Sequence, residues 1–118
     1  MKDCTIYKIM DLVGKKWTLC ILHELYKGNM CDKRFNELKS QLNDITPKTL
    51  SARLKEMEQE GLITKTVDST SFPVKCEYAL TDSGKELVEI VQSLKEWGHK
   101  WIVNNEACRR TLCIECKA

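Results

Sequence analysis

A chain of 118 residues is long enough for one hydrophobic core and too short for two. Its 42% hydrophobic and 31% charged residues suit a globular fold, and a net charge of +2 names no polyanionic partner, so any charge that meets nucleic acid must be gathered on one face. No stretch has the length of a signal peptide or a membrane span, and seven cysteines, an odd number, argue against a disulfide scaffold and for reduced thiols in a cytoplasmic chain.

Ile6, Ile9, Met10 and Val13 recur at helical spacing and predict a short amphipathic helix that Gly14 ends. Residues 16–27 carry Trp17, Leu19, Cys20, Ile21, Leu22, Leu25 and Tyr26, apolar nearly all round, so a second helix is expected at the centre of the core. Gly28-Asn29 is its stop signal, and Met30-Cys31 is a candidate for a very short strand. Phe35, Leu38 and Leu42 form the buried stripe of a third helix, ending near Asn43-Asp44. Ile45 fills a turn, Thr46 is a good N-cap, and Pro47 fits the first helical position, where its missing N–H costs nothing. The fourth helix then runs to about Glu60, with Leu50, Leu54 and Met57 on one side and Gly61 as its stop.

Beyond Gly61, Ile63 and Val67 alternate with Thr64, Thr66 and Asp68. After a loop at residues 69–73, Val74, Cys76, Tyr78 and Leu80 alternate with Lys75, Glu77 and Ala79, which predicts a β-hairpin with one buried face. Thr81 can cap a last helix that reaches about Asn104, along which Leu87, Ile90, Leu94, Trp97 and Trp101 step by three and four. The expected fold is mainly α with a small β-hairpin wing, a winged helix-turn-helix. Residues 1–104 form the domain, and residues 105–118 form a cysteine-rich tail.

On a helical wheel Lys48, Ala52 and Lys55 lie opposite the Leu50–Leu54–Met57 stripe, flanked by Thr49 and Ser51. With Thr46 at the cap, the first two turns offer hydroxyls, a methyl and cations, the groups that read major-groove edges and phosphates in double-stranded DNA. The positive end of the helix dipole points the same way. Glu56, Glu58 and Glu60 occupy the far end and would repel the DNA backbone, so only the N-terminal half suits a groove. Arg34 and Asn36 can clamp a phosphate beside it, and Lys65 and Lys75 bring cations along the wing. The same side chains also suit a plain solvated surface, and a winged helix can serve protein–protein contact without DNA. The order helix–turn–helix–wing and the two lysines favour DNA.

These residues resemble the HxlR-type winged-helix transcriptional regulators of bacteria and archaea. The matching pieces are Cys4 ahead of Gly14-Lys15-Lys16-Trp17, then Arg34-Phe35-Asn36-Glu37-Leu38, Ile45-Thr46 through Leu50, Arg53-Leu54 and Glu60-Gly61-Leu62-Ile63. Glu77 through Gly84, and Trp97-Gly98, complete the set. The resemblance implies a homodimeric, cytoplasmic DNA-binding regulator whose first and last helices build the dimer; twofold symmetry then predicts a palindromic operator, and a repressor is the expected role. The resemblance also links Cys4 with redox sensing. Thr5 and Lys15 depart from the pattern, standing where a proline and a second glycine are usual. The dimer is expected from the residues as well: a stripe ending in two tryptophans leaves apolar surface that a symmetric copy would cover. Ile6, Ile9, Leu87, Ile90, Leu94, Trp97 and Trp101 are the candidate contacts.

Cys20 and Cys76 fall on apolar faces and are expected in the core. Cys4, near a helix start with Lys2 and Lys8 close in sequence, is a candidate reactive thiol. Cys108, Cys113 and Cys116 supply three thiolates, one short of a closed zinc site that Cys4 can complete. A reversible disulfide and a frayed tail with exposed thiols are the alternatives, and the effector stays open. Enzymatic chemistry is not expected, since neither His23 nor His99 has an acid or nucleophile placed beside it by sequence.

Overall fold

The structure, a computed structural model, describes residues 3–27, 33–70, 72 and 74–116. Helices α1 (Thr5–Val13) and α2 (Thr18–Tyr26) lead to a two-residue strand β1 (Lys33–Arg34), then α3 (Phe35–Leu42) and α4 (Pro47–Gln59). Strands β2 (Ile63–Asp68) and β3 (Lys75–Leu80) precede the long α5 (Asp82–Trp101), a short α6 (Glu106–Arg110) and a 3-10 turn at Cys113–Glu115. The three strands form one antiparallel sheet in the order β1–β3–β2. This is a winged helix-turn-helix, mainly α with a small sheet.

Helix α2 is the hub. Ile21, Leu22 and Leu25 are at most 1% exposed, and the helix packs against α1, α3, α4, α5 and β3. It begins at Thr18 rather than Lys16, because Trp17 adopts a left-handed φ of 83° and caps the helix with its carbonyl, 2.8 Å from the Ile21 N–H. Its apolar character does not run all the way round, since Cys20 is exposed; Cys76, on β3, is only half-buried, so neither cysteine lies in the core, contrary to expectation. Cys20 lies on the one side of α2 that faces an open groove.

Helix α4 carries its punctuation in its own residues. The Thr46 hydroxyl accepts the Thr49 N–H at 3.1 Å, and Pro47 opens the helix. At the other end Gly61, at φ +77°, turns the chain so that the Leu62 N–H reaches the Met57 carbonyl at 2.9 Å and the Gly61 N–H reaches Glu58 at 3.1 Å. This paired closure places Leu62 back in the core beside Met57.

The expected strand at Met30-Cys31, like the stop at Gly28-Asn29, lies outside the described residues. The short strand that is present pairs Lys33 with Tyr78 and Arg34 with Glu77. In the hairpin, Ile63 pairs with Leu80 and Asp68 with Lys75. The expected buried face covers only the root, where Ile63 and Tyr78 are buried; Val67 and Val74 are exposed. The distal strands project past the last helix able to cover them. A radius of gyration of 15.3 Å, against about 13.5 Å for a compact chain of this length, fits such projections.

Helix α5 starts at Thr81, whose hydroxyl accepts the Gly84 N–H at 3.1 Å and donates to the Gly61 carbonyl. It ends at Trp101, three residues short of expectation, because the Ile102 and Val103 N–H groups both turn onto the Gly98 carbonyl at 2.7 and 2.8 Å. Leu87, Val88 and Val91 face the core, whereas Ile90, Leu94, Trp97 and Trp101 remain 53–67% exposed. The tail is ordered through its described residues, to Cys116. It folds back so that Arg109 donates to the His99 carbonyl at 2.9 Å and Cys113 is buried. No helix among the described residues is long and apolar enough to cross a membrane.

Candidate nucleic-acid interface

The outward face of α4 carries Lys48, Ser51, Ala52 and Lys55, all exposed, while Leu50, Leu54 and Met57 behind them are at most 2% exposed. The inward stripe therefore fixes which way the cations point. Thr49 is half-buried, and the Thr46 hydroxyl is committed to the cap and to a 3.0 Å contact with the Thr49 hydroxyl. Those two threonines build the helix end; the exposed four are free to face a ligand.

The acidic end of α4 differs from expectation. Glu56 is bridged by Lys15 at 3.1 Å and by Arg53 at 2.9 Å, and Arg53 also donates to the Lys16 carbonyl at 3.3 Å. This clamp ties α4 to the turn between α1 and α2 and neutralises one of the three glutamates, leaving Glu58 and Glu60 exposed. Lys15 is not legible from sequence because Glu56 lies 41 positions away, and the reach of Arg53 to the Lys16 carbonyl spans 37; only the Arg53–Glu56 pair is local to α4.

Arg34 and Asn36 are exposed at the start of α3, and the Arg34 N–H is capped by Glu37 at 3.1 Å. Arg34 is also the last residue of β1, in register with Glu77, so it sits at the sheet edge. On the wing, Lys65 is exposed on β2. Lys75 is half-buried and directly opposite Asp68, whose carboxylate accepts from the Thr70 N–H at 3.0 Å and its hydroxyl at 2.6 Å. An acidic partner across the strands moderates the positive charge at that end of the wing.

The cysteines part company. Cys4 is exposed at the N-cap of α1. Cys20, Cys108, Cys113 and Cys116 line one groove of about 800 Å³ between α2, α5 and the tail, which Cys4 does not line. Among the described residues no three His, Cys, Asp or Glu side chains are grouped to hold a metal ion, so the structure does not assemble the zinc site that the spacing suggested. Instead, the Lys95 ammonium donates to the Cys113 sulfur at 3.1 Å and approaches the Thr111 carbonyl at 3.5 Å. Burial alone would lower the Lys95 pKa, but hydrogen bonding and charge from Cys113 and Cys108 outweigh it and raise the value. His23, in the same groove, has its pKa lowered by burial and then by the Lys27 cation. Lys95 had a sequence signal that went unread: it continues the inward row of Val88 and Val91 at helical spacing, where a lysine needs a polar neighbour.

The HxlR-like helix-turn-helix family model matches residues 12–106. An uncharacterized HTH-type transcriptional regulator of Halalkalibacterium halodurans, BH0655, is 43% identical over 100 residues, covering 85% of this chain and 86% of that one. The reduced form of the transcriptional regulator YodB from Bacillus subtilis superposes with a TM-score of 0.73 at 31% identity, over 87% of this chain and 98% of that one. The redox regulator HypR in its oxidized form gives a TM-score of 0.69 at 34% identity, over 82% and 96%. The fold, the family match and these relatives agree, and the chain belongs to the HxlR-like helix-turn-helix family of transcriptional regulators.

Proposed function

We propose that the protein is a sequence-specific, double-stranded-DNA-binding repressor that acts in the cytoplasm as a homodimer on a palindromic operator. The observation that carries this reading is the division of α4, with its apolar stripe closed inside the chain and Lys48, Ser51, Ala52 and Lys55 turned outward. In this reading Lys48 and Lys55 take phosphates. Ser51 and Ala52 meet base edges, with Thr46 and Thr49 shaping the helix end. Arg34, Asn36, Lys65 and Lys75 contact the flanking backbone. Ile6 and Ile9 of α1 and Leu87, Ile90, Leu94, Trp97 and Trp101 of α5 form the pairing surface, of which all but Leu87 are exposed in the single chain. Twofold symmetry then sets the two recognition helices about one helical turn of DNA, or a multiple, apart.

The redox regulators among the structural relatives support a response to oxidants, for which exposed Cys4 is the first candidate. Fluorescence anisotropy with DNA from upstream of the protein's own gene, with and without a mild thiol oxidant, tests the reading. Reduced protein should bind tightly. Changing both Lys48 and Lys55 to alanine should weaken binding to every DNA sequence and, with each lysine on one phosphate, flatten the slope of log affinity against log salt by about 2 per subunit and about 4 per dimer. Unchanged affinity in that variant would remove α4 from the interface.

A further inference from the structure

We propose that Cys113 is a peroxide-reactive thiol, positioned by Lys95, which closes a disulfide with Cys108 inside the same tail. Three observations carry this. The Lys95 ammonium donates to the Cys113 sulfur at 3.1 Å, so a cation is already in place for the negative charge that sulfur carries when it attacks. Cys108 stands on α6, just before the turn that holds Cys113, and its charge bears on the same ammonium. Both sulfurs line the groove between α2, α5 and the tail, whose volume of about 800 Å³ gives a small oxidant access to Cys113 although that residue is only 8% exposed.

The chemistry uses a hydroperoxide, for which hydrogen peroxide is the probe. Cys113 sulfur, its proton lost to water, attacks one peroxide oxygen. The O–O bond breaks, and the departing hydroxide takes a proton from Lys95 or solvent to leave as water. Cys113 is now a sulfenic acid. The Cys108 sulfur attacks it, the S–O bond breaks, and a second water leaves as the disulfide forms. In sum, two thiols and one hydrogen peroxide give one disulfide and two waters. Closure needs side-chain rotation and adjustment of the short connection between α6 and the 3-10 turn, which bring the two Cβ atoms within disulfide reach.

Closure takes from Lys95 the thiol that it holds. A disulfide sulfur carries no charge and accepts hydrogen bonds weakly, so one of the contacts joining the tail to α5 is lost. Because α5 carries the exposed Ile90–Leu94–Trp97–Trp101 row, oxidation of the tail is placed to alter pairing through that helix. This consequence rests on the proposed function; the disulfide does not.

The test treats the reduced full-length protein with stoichiometric hydrogen peroxide, blocks remaining thiols and maps tryptic peptides by mass spectrometry. Arg109 and Arg110 separate Cys108 from Cys113, whereas Cys113 and Cys116 stay on one peptide. A link between the two peptides is expected in the native protein and in C116S, and its loss in C108S or C113S. In C108S, a dione probe should trap the sulfenic acid on Cys113. Lys95→Gln should slow oxidation of Cys113 about tenfold, and Lys95→Arg should restore most of the rate. A bond closed within the single peptide, a link to Cys4, or an unchanged rate in Lys95→Gln would overturn the proposal. Anisotropy on the same samples keeps the two readings apart: failure of the reduced protein to bind DNA counts against the regulator, while the peptide map alone decides the thiol.

Discussion

Helices α4 and α5 carry the same sequence signal and meet opposite fates. In α4 the row Leu50–Leu54–Met57 is closed inside the chain to at most 2% exposure. In α5 the row Ile90–Leu94–Trp97–Trp101 stands 53–67% exposed, although its residues are as apolar and as regularly spaced. Periodicity specifies a helix and a face; it does not say what covers that face. On α4 the cover is α2 and the sheet root, and because that cover is complete, the opposite face is free for polar work. On α5 the core takes a different row, Leu87, Val88 and Val91, so this helix has two apolar faces and only one is used within the chain.

Two truncations of the same size should break the symmetry between the rows. Leu54→Ala leaves a cavity in a filled core and should cost about 2–5 kcal/mol, a large part of a small domain's stability. Leu94→Ala, made under conditions that keep the chain monomeric, should cost about 0.5 kcal/mol or less, because its methyl groups already meet water. Urea unfolding of the two variants beside the parent measures both. Equal losses would mean that the α5 row is packed after all.

The next comparison is made in oligomeric state. Trp97→Asp puts a charge in the middle of the exposed row without disturbing Val88 or Val91. Sedimentation equilibrium should show the parent as a dimer and the variant as a folded monomer, with Kd raised at least about a hundredfold, a change of roughly 3 kcal/mol typical of a central aromatic anchor. An undiminished dimer would move the pairing surface elsewhere, with the α1 residues Ile6 and Ile9 next to be changed.

The ends of the two helices differ as much as their faces. Helix α4 ends on Gly61, where φ is +77° and an added Cβ would meet nothing within 4 Å, so glycine is required by the backbone alone. Helix α5 carries Gly84 in its first turn, where an added Cβ would lie 2.2 Å from the Leu62 carbonyl oxygen, so glycine is required by contact. Gly61→Ala should therefore cost about 1 kcal/mol and leave the fold intact. Gly84→Ala must push α5 from the chain that leaves α4, and should cost about 1–3 kcal/mol. Thermal unfolding ranks the pair, and the reverse order would show that the turn is the tighter constraint.

This contrast also explains what could be read before any coordinates. Thr46, Pro47 and Gly61 act within a few residues of themselves, so the start and end of α4 were legible, and so was the outward set of Lys48, Ser51, Ala52 and Lys55. The wing's alternation was legible, but not that the core stops at its root; Val67 has the pattern of a buried residue and no helix above it. Cys20 was misread for the same reason, since an apolar neighbourhood along the chain says nothing of a groove formed by residues some ninety positions later. The Lys15–Glu56 bridge, the Arg53 bond to the Lys16 carbonyl and the Lys95–Cys113 contact join distant segments, so a single sequence can mark Lys95 as needing a polar neighbour but not name the partner that it meets.

The smallest predicted effect probes the groove that lies between α2 and α5. His23 faces it from α2, and burial, followed by the Lys27 cation, lowers its pKa below the ordinary 6.5. The folded chain thus resists protonating a group that the unfolded chain protonates freely. As pH falls through 6.5 the unfolded state binds the extra proton first, so stability falls with pH until the folded pKa is reached, where the loss levels off. Above 6.5 both states hold His23 neutral and it contributes no slope. Carboxylates add their own pH dependence, so the informative quantity is a difference: urea unfolding of the parent and of His23→Gln, each at about pH 7.5 and about pH 5.5. The parent should lose more stability between the two than the variant does. Identical losses would show that the groove admits enough water to hydrate the imidazolium, and α2 would then be as open on this side as α5 is on its own exposed row.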